Sequence, residues 1–243
     1  LDLARRVNKQ KLSKLKLEAV DPKDQDKLIE DIAYYCSGTD VWQRMKKKAI
    51  AATSNPKGGA FLVAKYLAEL KRQDPSIEIH ISGHSAGSVF MGPFVDLLTR
   101  EYGLTINTVQ LRAPACTIDF FEKYYLPAIR CDKIDNFIVM NLTDERERED
   151  GFEIYGKSIL YLVSGGMEET RGEKILGMEK FFFQNETLKK LTHEQKIDYI
   201  ACPNEKDPST ARRSAAKTHA SFNKDDLTFK ATLAQILNPK PIP

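Results

Sequence analysis

The sequence has no long apolar run. Nowhere in its 243 residues does an apolar stretch approach the roughly 20 residues that a membrane-spanning helix needs, which argues against an integral membrane protein. It also has no strong excess of either charge, because 37 Lys and Arg against 34 Asp and Glu leave a net charge of +3. That balance is too small to indicate a nucleic-acid partner. The hydrophobic share of 42% is enough for one substantial core.

Cysteine is sparse, and motifs that bind metals or cofactors are missing. The four cysteines, Cys36, Cys116, Cys131 and Cys202, form no C-x-x-C pair and have no histidine at metal-ligand spacing. This pattern predicts free thiols in a reducing compartment, without a disulfide framework or zinc. With no P-loop, dinucleotide fingerprint or metal triad, we expect no cofactor and no metal. We expect a cytoplasmic location, although a chain that opens on Leu1 and not on Met is expected to lack its true N-terminus.

The sequence does contain the octapeptide ISGHSAGS, with Ser85 as its fifth residue. Ile77–Ile81 alternates apolar and polar residues, which predicts a strand, and apolar residues recur at helical spacing from Ala86 onward. We expect Gly83 and Gly87 to remove Cβ atoms that would collide in the tight turn between the strand and the helix, leaving the serine at the apex in a strained backbone conformation. This is the G-x-S-x-G nucleophile elbow. The alternative is an ordinary glycine-rich turn.

Strands and helices alternate through most of the remaining chain. Strands are predicted at about 106–112, 136–142 and 197–201, and helices at about 60–72 and 118–129. Such alternation is typical of an α/β fold with a mostly parallel sheet and helices on both faces. Residues 57–243 are expected to form this core, and residues 1–56 a helical N-terminal segment and candidate cap. No convincing strand precedes the one before Ser85, so the N-terminal strands of a full sheet are expected to be absent.

Two further residues follow strands and suit catalysis with the serine. Asp144 comes directly after the strand at 136–142, and His219 lies in the region after the last strand. Parallel sheets bind ligands at the carboxyl ends of their strands, so these side chains are expected to meet Ser85. A serine hydroxyl needs a base to remove its proton, histidine suits that role near neutral pH, and a carboxylate orients the histidine.

Other residues compete for these roles. His80 is most simply a structural strand residue, and His193 is predicted to lie in the first turn of a helix capped by Thr192. His84 is expected to line the site or pack beneath it. Asp119 is the rival acid because it also follows a strand, although its position favours a helix start. Asp144 itself opens a run of charges that is alternatively a solvated loop.

The motif Gly83–Gly87, with Asp144 and His219 in that chain order, resembles the α/β-hydrolase superfamily of serine esterases and lipases. The resemblance covers roughly residues 75–225. It implies a serine nucleophile, a histidine base and an orienting acid that together hydrolyse a small-molecule ester through a covalent acyl-enzyme. The backbone N–H of Ala86 is then expected to donate to the oxyanion.

A hydrolase of this kind needs a second oxyanion donor from a loop after an earlier strand. Only the turn at Gly58 and Gly59 is nearby, and its topological position is wrong for that loop. We therefore expect a complementary N-terminal segment or subunit to supply the missing strands. A non-catalytic binding or interaction protein on the same fold is the alternative from a different class.

A lipase or thioesterase of the same superfamily is the other alternative. Four lysines interleave with three leucines in a basic amphipathic segment: Lys9, Lys11, Lys14 and Lys16 with Leu12, Leu15 and Leu17. In the lipase interpretation this segment contacts an anionic membrane, and Phe181–Phe183 helps to form an apolar acyl site. We favour a soluble carboxylesterase, with the segment as a solvated helix on the flank of the sheet.

Overall fold

The computed structural model describes residues 22–237, with side chains from residue 25 onward. Its first part is helical, with α1 at Pro22–Tyr35, α2 at Gly38–Ser54 and α3 at Gly59–Gln73, and residues 22–79 contain no strand. The helical prediction for the N-terminal segment is confirmed from residue 22 to residue 54. The basic amphipathic segment between Lys9 and Leu17 lies outside the described residues.

A single parallel sheet forms the centre of the described chain. Its strands are β1 (His80–His84), β2 (Ile106–Arg112), β3 (Ile134–Leu142) and β4 (Asp198–Cys202). They are ordered β1-β2-β3-β4 and all neighbouring pairs are parallel. The predicted α/β class with a mostly parallel sheet is therefore confirmed. Because the strands are all parallel, their carboxyl ends lie along one edge of the sheet.

Helices connect the strands and flank the sheet. They are α4 (Gly87–Asp96), α5 (Ile118–Tyr124), α6 (Leu126–Arg130), α7 (Asp144–Glu149), α8 (Ile159–Leu162), α9 (Glu179–Phe182), α10 (Glu186–His193) and α11 (Asp226–Leu237). Two π-helical turns, Leu97–Glu101 and Val163–Met167, extend α4 and α8, and two 3-10 segments, Thr210–Arg212 and His219–Asn223, follow β4. None of these described helices combines the length and the apolar character needed to cross a bilayer.

Most element boundaries agree with the sequence pattern, and the differences have local causes. β1 begins at His80, later than predicted, because the backbone N–H of Ile79 donates to the side chain of Asn107 at 2.9 Å before the ladder starts. The helix predicted over 118–129 is divided at Tyr125, two residues before Pro127, which cannot donate a backbone hydrogen bond.

The prediction for His193 is wrong. His193 is the last residue of α10, and the N-cap of that helix is Asn185, whose side chain accepts from the backbone N–H of Leu188 at 2.9 Å. The hydroxyl of Thr192 donates back to the carbonyl of Leu188 at 2.9 Å, as mid-helix threonines do. A basic residue in the last turn suits the negative end of a helix, so His193 has a structural role.

Candidate active site

Ser85 occupies the turn between β1 and α4 and has a left-handed backbone with φ of 54°. This conformation costs a non-glycine residue about 1–3 kcal/mol and is characteristic of functional sites. Hydrogen bonds on both sides hold it. The backbone N–H of Ser85 donates to the carbonyl of Arg112 at 3.0 Å, and the carbonyl of Ser85 accepts from Ala115 N at 3.0 Å and from Ser88 Oγ at 2.8 Å. The predicted strained apex is therefore present at the serine.

The steric explanation for the two glycines needs correction. A Cβ added to Gly83 would meet Gly87 C and Leu111 Cδ2 at 3.4 Å, which is ordinary contact, and a Cβ added to Gly87 would meet nothing within 4 Å. Neither glycine has positive φ; that conformation falls on Ser85. The turn is therefore not crowded in the expected way, and Gly87 instead leaves open space beside the serine.

The backbone N–H of Ala86 is available to an oxyanion. Ala86 is the N-cap residue of α4, and its N–H makes no hydrogen bond to another backbone group among residues 22–237. The N-terminal end of a ten-residue helix carries partial positive charge, which favours a developing oxyanion. Since residues 22–79 contain no strand, no loop in that range matches the second donor expected of a hydrolase.

His219 begins the 3-10 segment after β4 and lies beside the elbow. Its side chain is buried, and its ring centroid is 4.7 Å from that of His84, the neighbour of Ser85. Burial lowers the pKa of His219 to about 3, and repulsion from His84 adds to the effect. The ring nitrogen Nδ1 is buried without a hydrogen-bond partner, and within the described residues no hydrogen bond joins this ring to Ser85.

His84 fixes the segment that carries His219. Its Nε2 donates to the carbonyl of His219 at 2.9 Å, and its Nδ1 accepts from Asn223 Nδ2 at 2.9 Å. The proton must be on Nε2, because a carbonyl oxygen can only accept. Burial lowers the pKa of His84 despite this hydrogen bond, so the ring remains neutral near pH 7. His84 thus ties the segment that carries His219 to the elbow.

The structure does not bring Asp144 to His219, so the predicted pairing of these residues is not made. Asp144 lies in the first turn of α7, and its carboxylate accepts from the hydroxyl of Tyr161 at 2.7 Å and from Arg148 Nε at 2.8 Å. Burial tends to raise the pKa of this carboxyl, but the two hydrogen bonds outweigh it and the net shift is downward. Both oxygens of this carboxylate therefore accept hydrogen bonds from groups other than His219.

The rival acid Asp119 is not at the site either. It is exposed in the first turn of α5, whose N-cap is Thr117. The Thr117 hydroxyl accepts from Phe120 N at 3.1 Å. The acidic side chain therefore sits where negative charge favours a helix N-terminus, which supports the structural interpretation of this residue.

Asp150 is the carboxylate that meets His219. It follows α7 as the C-cap residue, and its Oδ2 accepts from the backbone N–H of His219 at 2.6 Å. Burial raises the pKa of Asp150, while this hydrogen bond opposes the shift. Asp150 was not predicted from the sequence because it is the last of seven consecutive charged residues. No local signal distinguishes it from its acidic neighbours.

The chain matches no known protein family, curated protein or solved structure. The chemistry of the site must therefore be inferred from its own residues. In the described part of the chain, no group of three or more His, Cys, Asp and Glu side chains is placed to hold a metal ion. Cys116 and Cys202 are buried, and burial raises the pKa of both thiols to about 12, so neither supplies a thiolate near neutral pH.

Proposed function

We propose that the protein is a serine hydrolase that cleaves carboxylic esters through an acyl-enzyme intermediate, on an α/β-hydrolase-like sheet. The observation that carries this proposal is the left-handed φ of 54° at Ser85, at the carboxyl end of β1. A backbone conformation that costs free energy is expected at this residue if its hydroxyl must project above the sheet. His219 follows β4 and packs against the residue preceding the serine, which supports the same assignment.

Each residue then has a defined step. Ser85 Oγ attacks the ester carbonyl carbon and passes its proton to the neutral ring of His219, which must close onto the hydroxyl when substrate binds. The N–H of Ala86 donates to the oxyanion, and the protonated histidine gives its proton to the departing alcohol. Water then attacks the acyl-enzyme with His219 again as base. This step regenerates Ser85 and releases the acid.

Asp150 is the orienting acid of the proposed triad. One of its oxygens already accepts from the backbone of His219 at 2.6 Å, while Nδ1 of the same residue has no partner. Turning the carboxylate so that its other oxygen accepts from Nδ1–H would fix the ring tautomer and raise its basicity. The positive charge that His219 acquires during catalysis would then have a compensating partner.

The position of β1 defines what else the proposed enzyme needs. β1 is one of the two edge strands of the described sheet, paired on one side with β2. A complementary segment or subunit that pairs with the other side of β1 would extend the sheet and bring the second oxyanion donor to Ser85. The proposed enzyme therefore includes this complementary segment or subunit.

A fluorophosphonate probe tests the proposed nucleophile. An activated serine reacts with the probe, so we expect covalent labelling, located at Ser85 by mass spectrometry. Ser85→Ala should abolish labelling, whereas Ser82→Ala, which changes an exposed serine of the same motif, should not. If the folded protein is not labelled and hydrolyses no p-nitrophenyl butyrate, the hydrolase proposal is wrong.

A non-catalytic interaction protein is the second candidate. It is favoured by the missing hydrogen bond between His219 and Ser85 and by the burial that lowers the pKa of His219 to about 3, which makes this ring a weak base. Labelling separates the two candidates, because an interaction protein has no reason to activate Ser85. Apo enzymes often have loose catalytic hydrogen bonds that tighten with substrate, and for this reason we favour the enzyme.

A lipase is less well supported than a soluble esterase. Phe182 is fully buried and packs against Tyr199 with ring centroids 4.5 Å apart, so the centre of the Phe181–Phe183 cluster belongs to the core and not to an acyl pocket. We expect short water-soluble esters to be preferred over long-chain esters. Co-sedimentation with anionic vesicles at low salt and a long-chain preference would favour the lipase instead.

A further inference from the structure

Arg112 is a half-buried cation without a partner. It is the last residue of β2, and its Nε atom is buried with no hydrogen-bond partner. Among residues 25–237, no carboxylate forms an ion pair with its guanidinium, no group accepts a hydrogen bond from it, and no Phe, Tyr or Trp ring lies beneath it. Burial disfavours the charged form and lowers the pKa of Arg112, although arginine still remains protonated at neutral pH.

Other half-buried cations in the same fold are all compensated. Arg212 is the closest comparison, because it is also half-buried but pairs with Asp198 and donates to the carbonyl of Tyr199 at 3.0 Å. The remaining half-buried Lys and Arg side chains of the described chain each contact a carboxylate, a backbone carbonyl or an aromatic ring: Lys46, Lys71, Lys133, Arg146, Lys157, Lys180, Lys196 and Arg213. Arg112 is the exception. The two terminal guanidinium nitrogens of Arg112 have no partner among the described residues and reach solvent, so they can contact an anion, which would also offset the partial desolvation of the charge.

The position of Arg112 connects it to the proposed active site. Its carbonyl accepts from the backbone N–H of Ser85 at 3.0 Å, and its Cα is in register with that of His84 on the adjacent strand. Residues in register on neighbouring parallel strands point to the same face of a sheet. Burial lowers the pKa of His84 and the charge of Arg112 lowers it further, which is consistent with a guanidinium close to that ring. The cation thus lies beside the elbow.

We propose that Arg112 binds an anionic group carried by the substrate, either a carboxylate or a phosphate, so that the protein acts on anionic esters. This assignment rests on the hydrolase function proposed above. The planar guanidinium can donate two parallel hydrogen bonds to either group, and a partly buried setting strengthens them. Arg112 takes no part in bond making or breaking. It holds the anionic end of the substrate while Ser85 reacts with the ester carbonyl.

Anion binding tests the role of Arg112 without requiring turnover. Isothermal titration calorimetry measures the affinity of the full chain carrying Ser85→Ala for succinate and, separately, for inorganic phosphate. The anion that binds more tightly identifies whether a carboxylate or a phosphate is preferred. Adding Arg112→Gln should weaken binding by about 10- to 100-fold, as expected for loss of a charge-assisted pair. Arg100→Gln is the control, because Arg100 is exposed and already paired with Asp96. Equal binding with and without Arg112, or no binding at roughly 10 mM of either anion, overturns the proposal.

Kinetics with two matched esters complete the test. p-Nitrophenyl butyrate and mono-p-nitrophenyl succinate have four-carbon acyl groups, and only the second carries a carboxylate. We expect wild type to prefer the anionic ester by about tenfold or more in kcat/KM, and Arg112→Gln to lose that preference, whereas the control Arg100→Gln should keep it. Hydrolysis of the neutral ester without Arg112-dependent anion binding overturns the anion site and leaves the hydrolase. Anion binding that depends on Arg112, without any ester turnover, overturns the hydrolase and leaves the anion site.

A folding control keeps the result interpretable. Arg112→Lys retains the charge and should recover part of the anion binding that Arg112→Gln loses. If Arg112→Gln fails to fold, as shown by circular dichroism, wild-type titrations decide: absence of succinate and phosphate binding to the folded wild-type protein overturns the proposal.

Discussion

The backbone N–H of His219 and the carboxylate of Asp150 form a 2.6 Å hydrogen bond across 69 positions of sequence. Nδ1 of the same histidine is buried and has no partner. The Asp150 carboxylate contacts the residue that carries this ring, whereas both oxygens of Asp144 accept hydrogen bonds from Tyr161 and Arg148. This relationship makes Asp150 the proposed acid.

Replacing Asp150 and Asp144 one at a time shows which of them is the orienting acid. We expect Asp150→Asn to lower kcat for p-nitrophenyl butyrate by about 10²–10⁴-fold, because the amide cannot stabilise the imidazolium form of His219. Asp144→Asn is the matched control and should change kcat by less than about fivefold. Circular dichroism verifies that both variants fold. A large loss of kcat for Asp144→Asn, with little change for Asp150→Asn, would mean that Asp144 is the orienting acid, as first predicted.

Two replacements of Ser85 separate its chemistry from its backbone. Ser85→Ala and Ser85→Gly should both reduce turnover by about three or more orders of magnitude, because each removes the hydroxyl. Glycine adopts positive φ without steric cost, so Ser85→Gly should have a higher free energy of unfolding than Ser85→Ala, by up to about 1 kcal/mol. Urea denaturation measures the difference. A less stable glycine variant would mean that the left-handed conformation at this residue is not strained.

Alanine replacements at two glycines of α4 should have opposite effects. A Cβ at Gly92 would lie 2.6 Å from Phe120 Cε1 and 3.2 Å from Tyr125 Cε2, so Gly92→Ala should lower the free energy of unfolding by about 1–3 kcal/mol. At Gly87 the space is open, and Gly87→Ala should be neutral or stabilise by up to about 1 kcal/mol through helix propensity. Thermal or urea unfolding compares them. The opposite order would contradict the packing of α4 against α5.

Glu147 should make stability fall as the pH rises. Its side chain is buried beside Ser158, one of its oxygens has no partner, and burial raises its pKa to about 8. The pKa in the unfolded chain is near 4.5, so the folded protein favours the protonated form. This contribution to stability is complete below pH 4.5 and is lost as the pH rises to 8, with a slope approaching about 1.4 kcal/mol per pH unit.

Glu147→Gln isolates that contribution, because glutamine stays neutral at every pH. The free energy of unfolding of wild type should fall relative to that of the variant between pH 5 and pH 8, measured by urea denaturation. Glu149→Gln is the control, since Glu149 is exposed and pairs with Arg146. Parallel pH profiles for wild type and Glu147→Gln would show that this carboxyl is not held protonated.

Local sequence patterns predicted the strands of the sheet because burial favours apolar residues at regular spacing within each strand. The segment Ile106–Arg112 forms β2 with the predicted bounds, and residues that point to both faces of this strand are buried. Ser85 could be placed at the apex because a strand and a helix are separated by only two residues. Position after the last strand also singled out His219. For the glycines, however, the predicted steric crowding was wrong, because a Cβ at Gly83 would make only ordinary contacts and one at Gly87 would meet nothing within 4 Å.

The sequence by itself thus determined the α/β class and the position of Ser85 in a turn between a strand and a helix, because both follow from the spacing of apolar residues along short stretches of chain. Only the tertiary structure decided which carboxylate meets His219, because Asp144 and Asp150 lie in one run of charges and differ only in where the short helix α7 points them. The same holds for Arg112, whose distinguishing property is the absence of a neighbour in the described fold. A local pattern reports which side chains prefer burial, but it carries no information on which distant groups will surround them.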